Sequence, residues 1–121
     1  MLDCLSRPDR FVREEAIVRH IESLVDVNRE RILSLPSRER CDLYETENER
    51  FADFAHRIGV RVLPANGHTV AFFILDLFDR GASRDEIETA VAAIEYMHEM
   101  THCYLDWLPI HAALEFVKSQ S

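Results

Sequence analysis

Residues 83–100 read SRDEIETAVAAIEYMHEM and carry the clearest structural signal in the chain. Ser83 and Glu86, three positions apart, form a capping box, in which each side chain accepts a hydrogen bond from the other residue's backbone N–H. Apolar residues follow at helical spacing: Ile87, Val91, Ile94 and Met97. This stretch therefore predicts an amphipathic α-helix that begins at Ser83.

The N-terminal part of the chain shows the same periodicity. A long first helix is predicted over residues 9–35, with Pro36 as its stop and a break near Val27-Asn28. Its apolar positions are Phe11, Ile17, Ile21, Leu24, Val25, Ile32 and Leu35. Ser37 is the predicted N-cap of a second helix, which ends at Gly59.

The remaining segments complete the helical pattern. Residues 60–65 are predicted to be an extended loop, because no second strand exists to pair with them. Asn66 or Thr69 caps a third helix that stops at Arg80-Gly81, and Leu108-Pro109 begins the last helix. Together these segments predict an all-α fold, a single-domain bundle of about five helices.

Composition restricts the classes of function. With 121 residues, 22 acidic against 14 basic side chains and a net charge of −8, the chain has room for one domain and disfavours non-specific DNA binding by the whole molecule. It has no apolar run of membrane-spanning length, so we expect a cytoplasmic protein with no membrane partner. The cysteines, Cys4, Cys41 and Cys103, form no C-x-x-C pair and are expected to be structural thiols.

Residues 98–102, HEMTH, match the H-E-x-x-H pattern of zinc peptidases. A catalytic zinc ion needs a third protein ligand, and neither His111 nor Glu115 stands at a recognised spacing. A small metallopeptidase is therefore a minor alternative, and we predict no metal, no cofactor and no enzymatic activity. The aromatic residues are assigned to the core: Phe72, Phe73, Phe78, Tyr96, Tyr104 and Trp107.

The segment from Ser37 to Val117 resembles the SAM-like N-terminal core-binding domain of tyrosine recombinases of the phage-integrase type. The matching positions are Tyr44, Glu47, Phe51, Phe54, Gly59, Leu63-Pro64-Ala65, Val70-Ala71, Ile74, Ser83, Ile87, Ala93-Ile94, His98 and Pro109. The resemblance implies a helical domain that clamps duplex DNA, and it accounts for His98 as a recurrent helix-end histidine. It divides the chain into an N-terminal helical extension, residues 1–36, and a core-binding-like unit, residues 37–121.

The resemblance implies a non-catalytic DNA-binding role, because nothing in this sequence matches the family's catalytic domain. The residues expected to contact DNA are Ser37, Arg38, Arg40, Ser83 and Arg84. This chain departs from the family where its fourth helix carries Glu88 and Glu95 in place of basic residues, and these carboxylates would repel phosphate. The alternative is a repurposed acidic module for protein interaction or dimerisation, with a second copy or a recombinase as partner. Apolar residues on several sides of the first helix favour it: Val12, Val18 and Val27.

Overall fold

The computed structural model describes the backbone of residues 2–24 and 28–120 and the side chains of residues 12–24 and 28–120. Within these ranges the protein is all-helical, which confirms the predicted fold class. The helices are α1 (Leu2–Ser23), α2 (Arg29–Leu33), α3 (Ser37–Arg57), α4 (Gly67–Asp79), α5 (Arg84–Met100) and α6 (Trp107–Gln120). None of these described helices is long and apolar enough to cross a membrane.

The first helix predicted over residues 9–35 is two helices, in agreement with the break predicted near Val27-Asn28, and the first of them begins at Leu2 rather than at residue 9. Helix α1 ends at Ser23 and α2 begins at Arg29. The Arg29 guanidinium donates to the carbonyl oxygens of Glu22 at 3.1 Å and Leu24 at 2.8 Å. These bonds satisfy acceptors that a helix leaves open at its C-terminus, so α2 stabilises the end of α1. Residues 25–27 and the Phe11 side chain, assigned from sequence, lie outside the described residues.

Two of the four helix starts predicted from the sequence agree with the structure. The Ser83–Glu86 capping box is present, with both of its hydrogen bonds, and Asn66 rather than Thr69 caps α4. Ser37 is not an N-cap, because it is already helical and Pro36 precedes it. Helix α6 begins at Trp107, one residue before the predicted Leu108, since the Asp106 carboxylate accepts a bond from the Leu108 N–H at 3.2 Å.

Among the side chains that the structure describes, two hydrophobic clusters form the core, and α5 contributes to both. One cluster joins α3, α4, α5 and α6 and contains Phe51, Phe54, Phe73, Ile74, Ile87, Val91, Ile94, Ile110 and Val117. The other joins α1, α2, α3 and α5 and contains Ile17, Ile21, Ile32, Cys41, Tyr44, Ala92, Ala93 and Tyr96. Gly67 lets α4 approach the start of α6, where a Cβ atom would collide with the Asp106 carbonyl. The N-terminal helices are therefore packed into the same core as the rest of the bundle.

The capping box provides a test of the local structure. Replacing Ser83→Ala removes the hydroxyl that accepts a bond from the Glu86 N–H at 3.1 Å. We expect the free energy of unfolding, measured by urea denaturation, to fall by about 1 kcal/mol.

Ser37→Ala is the matched control, since Ser37 is exposed and α3 has no side-chain capping bond. It should change stability by less than about 0.5 kcal/mol. Equal losses for the two variants would contradict the capping assignment.

Candidate functional site

Arg40, expected to contact DNA, lies between α1 and the turn that precedes α3. Its guanidinium forms an ion pair with Glu14 at 2.7 Å and donates to the carbonyl oxygens of Leu33, at 2.9 Å, and Leu35. Only 15% of its side chain is exposed. A phosphate could reach Arg40 only by displacing Glu14, so this arginine holds helices together in the present arrangement.

Of the other four residues predicted to contact DNA, two already bond to side-chain or backbone groups within the protein and two are exposed. Arg84 pairs with Glu88 at 3.1 Å within α5, and the Ser83 hydroxyl is used by the capping box. Ser37 and Arg38 are exposed at the start of α3. In the described part of the chain, no hydrogen bond or ion pair joins Ser37–Arg40 to Ser83–Arg84. The structure therefore does not gather the five predicted residues through direct contacts.

The geometry at His98 does not suit a zinc ligand. His98 is 2% exposed, and its Nδ1 atom lies 2.9 Å from the Ile94 carbonyl oxygen, so Nδ1 carries the proton and donates. Nε2 then accepts a bond from the Ala65 N–H at 2.8 Å. A metal ion would need the lone pair that this bond occupies. His102 lies beyond the end of α5 in a left-handed turn, with φ of 57°, so the two histidines are not on consecutive turns of one helix.

A cavity of about 270 Å³ lies beside the C-terminal half of α5, and we name it the carboxylate–aromatic pocket. It is lined by Glu95, His98, Glu99, Cys103, Tyr104, Leu105 and Trp107. Tyr104 is 81% exposed and Trp107 is half-buried, while Phe72 on α4 is 58% exposed, so the assignment of Tyr104 and Phe72 to the core was wrong. The pocket therefore brings two carboxylates and two accessible aromatic rings to one cavity.

His20 of α1 forms a hydrogen bond with one of the two carboxylates and lies beside the other. Its Nδ1 lies 2.9 Å from Glu99 Oε1, whereas its Nε2 is 3.5 Å from Glu95 Oε1 and has no hydrogen-bond partner among the described residues. The rings of Tyr44 and Tyr96 meet the His20 ring edge-on, with centroids 6.2 and 5.9 Å away. The hydrogen bond to Glu99 therefore joins α1 to the C-terminal part of α5.

The electrostatics of Glu95 follow from its position. Burial raises the pKa of the Glu95 carboxyl to about 7, and the neighbouring charge of Glu99 adds to the shift. Only 25% of its side chain is exposed, which contradicts the sequence-based view of Glu95 as part of an open acidic surface. A carboxyl that titrates near neutral pH can exchange its proton under ordinary conditions.

Sequence reasoning missed the residues that make this pocket. His20 stands 79 positions before Glu99, and no local pattern predicts contact over that separation. Glu95 and Glu99 are four residues apart on a helix, a spacing that favours repulsion unless a cation or hydrogen-bond donor lies between them. That spacing is the one signal by which the pair could have been singled out. Within the described residues, no group of three or more His, Cys, Asp or Glu side chains could hold a metal ion.

Comparison with known proteins does not assign a function to this pocket. The chain matches no protein-family model, no curated protein and no solved structure.

The raised pKa of Glu95 predicts a pH-dependent effect on stability. Because the folded protein binds the Glu95 proton more tightly than the unfolded chain, stability from this group is present below about pH 4.5 and lost as the pH rises to about 7. Glu95→Gln removes that loss. We expect the variant to exceed the parent protein in free energy of unfolding above pH 7 by up to about 3 kcal/mol, and to match it more closely near pH 4.5.

Urea denaturation across this pH range measures the difference. Glu115→Gln is the control, because Glu115 is an exposed carboxylate of α6 outside the pocket. A Glu95→Gln effect that stays constant with pH would contradict the assigned shift.

Proposed function

We propose that this chain is a non-catalytic binding module that docks a partner protein through the carboxylate–aromatic pocket. The observation that carries this proposal is the meeting of Glu95 and Glu99 with Tyr104 and Trp107 at one cavity. The partner would insert a lysine or arginine side chain. This proposal specifies a site and a ligand chemistry for the protein-interaction alternative predicted from the sequence.

The pocket suits a cation for two independent reasons. Glu99 is 57% exposed, so its carboxylate can approach an incoming ammonium or guanidinium group from solvent. The faces of tyrosine and tryptophan rings attract cations, with about 0.5–1 kcal/mol gained at exposed sites and more where water is excluded. The net charge of −8 favours the approach of a basic partner over longer distances.

An exposed apolar side chain adjoins the pocket in sequence. Leu108 directly follows Trp107 and is 79% exposed. Aromatic residues in particular are enriched at the centres of protein interfaces. A basic side chain flanked by apolar ones is therefore the partner segment that fits.

Trp107 is the only tryptophan of the chain and lines the pocket, so its fluorescence reports on binding. We expect an acetylated Leu-Lys-Leu amide to change this emission saturably at pH 8, with Kd in the millimolar range. The matched Leu-Gln-Leu amide should bind at least about tenfold more weakly, since it lacks the charge. Binding of the lysine peptide should weaken below pH 7, where Glu95 takes up a proton and loses its charge.

Two variants separate the pocket from the general acidity of the protein. Glu99→Gln should weaken lysine-peptide binding severalfold, whereas Glu115→Gln, which removes the same charge elsewhere, should leave it unchanged. Equal effects of the two variants, or equal binding of the lysine and glutamine peptides, would rule out recognition by this pocket. Self-association of the chain, measured by sedimentation, would instead identify a second copy as the partner.

A second candidate function is the DNA-binding role that the resemblance to the recombinase core-binding domain implies. The observation in its favour is the start of α3, where exposed Arg38 stands next to exposed Ser37. A helix N-terminus attracts phosphate through its dipole and open N–H groups. Within the described residues, the Arg38 side chain has no ion pair, unlike those of Arg40 and Arg84.

This arrangement predicts weak binding to DNA whose affinity depends little on salt concentration. With Arg38 as the one predicted arginine not engaged inside the protein, the slope of log affinity against log salt should be about −1, and Kd for random duplex should be no tighter than about 10⁻⁴ M. Arg38→Ala should abolish this binding and Arg84→Ala should leave it unchanged. Fluorescence anisotropy at two salt concentrations measures both. A slope near −3 would show that Arg40 and Arg84 leave their carboxylates to contact phosphate.

A further inference from the structure

Residues 57–61, where α3 ends, carry positive charge in an otherwise acidic protein, and we name them the basic loop. The loop contains two arginines, and the sequence has no aspartate or glutamate from residue 54 to residue 75, although the whole chain has 22 acidic side chains. Ile58 and Val60 of the loop are 47% and 38% exposed. The basic loop therefore combines arginine with exposed apolar side chains, which is the composition that fits the carboxylate–aromatic pocket.

Arg61 is the more available of the two arginines in the basic loop. The guanidinium of Arg57 lies over a phenylalanine ring of α3, 5.7 Å from its centroid. Arg61 is exposed and has no hydrogen bond or ion pair among the described residues. Within the same chain, the basic side chain at ion-pair distance from Glu95 and Glu99 is His20. Each copy of the protein therefore carries an available arginine and an accessible acidic pocket that do not pair with each other.

The end of α3 fixes the backbone of the basic loop. Gly59 has φ of 74°, a left-handed conformation that glycine adopts without strain. The N–H groups of Gly59 and Val60 donate to the carbonyl oxygens of His56, at 3.2 Å, and Ala55, at 3.0 Å. These two bonds are those of a Schellman motif. A loop that is already held in one conformation loses little entropy when it binds.

The basic loop and the carboxylate–aromatic pocket lie at the same end of the bundle. The Ala65 N–H donates to His98 Nε2 at 2.8 Å, and His98 lines the pocket. Arg61 stands four residues before Ala65, so their Cα atoms are at most about 14 Å apart. Two copies that meet at this end can each present a basic loop to the other's pocket. Such a reciprocal contact is the self-complementary interface of a two-fold dimer.

We propose that a second copy of this chain is the partner of the carboxylate–aromatic pocket, and that Arg61 of each copy enters the pocket of the other. This inference rests on the proposed function of the pocket and adds the identity of its partner. A guanidinium group bonds to a carboxylate through two parallel N–H groups and also stacks on aromatic rings, so Arg61 matches Glu99 and Tyr104 together. The exposed Leu108 offers an apolar contact to the apolar side chains of the entering loop.

Sedimentation equilibrium of the full chain measures this association. We expect a reversible monomer–dimer equilibrium with Kd between about 10 µM and about 1 mM, because an interface of few contacts is weak. Arg61→Glu should weaken dimerisation at least about tenfold. Arg80→Glu is the matched control, because Arg80 is 61% exposed and lies shortly before the start of α5, whereas the pocket lies beside the C-terminal half of that helix. It makes the same change in net charge and should alter Kd by less than about twofold.

The double variant Arg61→Glu/Glu99→Arg reverses the proposed ion pair and keeps the net charge of the parent chain. It should dimerise at least about fivefold more tightly than Arg61→Glu, since each pair is restored with its charges exchanged. Arg80→Glu/Glu99→Arg has the same net charge and should remain as weak as Glu99→Arg alone. A parent chain that stays monomeric up to about 1 mM, or equal effects of Arg61→Glu and Arg80→Glu, would overturn the proposal.

A peptide with the sequence of residues 57–62, acetylated and amidated, tests the loop without any variant of the protein. It should change the fluorescence of Trp107 saturably and dissociate the dimer, and the same peptide with Arg61→Gln should bind at least about tenfold more weakly. If the Leu-Lys-Leu amide binds the pocket but the loop peptide does not, this inference fails while the proposed function stands. If neither peptide binds, both fail.

Discussion

The burial of α5 on two sides is the constraint on which the rest of the structure depends. Ile87, Val91 and Ile94 face one hydrophobic cluster, while Ala92, Ala93 and Tyr96 face the other. Small alanine side chains let neighbouring helices approach closely on the second side. Polar residues near the C-terminal end of α5 then have little room, which explains why Glu95 and His98 are both largely shielded from water. The raised pKa of Glu95 and the buried hydrogen bonds of His98 therefore follow from the central position of α5 in the bundle.

The helices could be predicted from sequence because their signals are local. The capping box at Ser83 and the amide cap at Asn66 act within three residues, and apolar spacing places the buried faces. The break between α1 and α2 was predicted near Val27-Asn28, but the contact that stabilises this break could not be predicted from local signals. The guanidinium of Arg29 reaches back to carbonyl groups at the end of α1, and an arginine in a polar stretch gives no sign of such a contact. Ser37 failed as a cap because the preceding proline already has the extended backbone that a cap position needs.

The sites depend on contacts between distant parts of the chain, and net charge alone did not reveal them. Arg40 and Glu14 are 26 residues apart, yet their ion pair removes the most shielded of the predicted DNA-contacting arginines from the surface. The same holds for an acidic residue: Glu95 was counted as a surface charge in the sequence analysis, but its carboxylate is mostly buried beside His20. A count of acidic and basic residues describes the total field around the protein, but only packing decides which charges a partner meets.

Helix α1 contributes to the candidate binding site and lies outside the segment that resembles a recombinase core-binding domain. That segment spans Ser37 to Val117, whereas His20, which hydrogen-bonds to Glu99, lies in α1. A chain without α1 would expose Tyr44 and Tyr96, whose rings pack against His20, and would lose this polar contact with Glu99. The resemblance therefore offers no explanation for the contact between α1 and α5. Any binding at the carboxylate–aromatic pocket must depend on α1 as well.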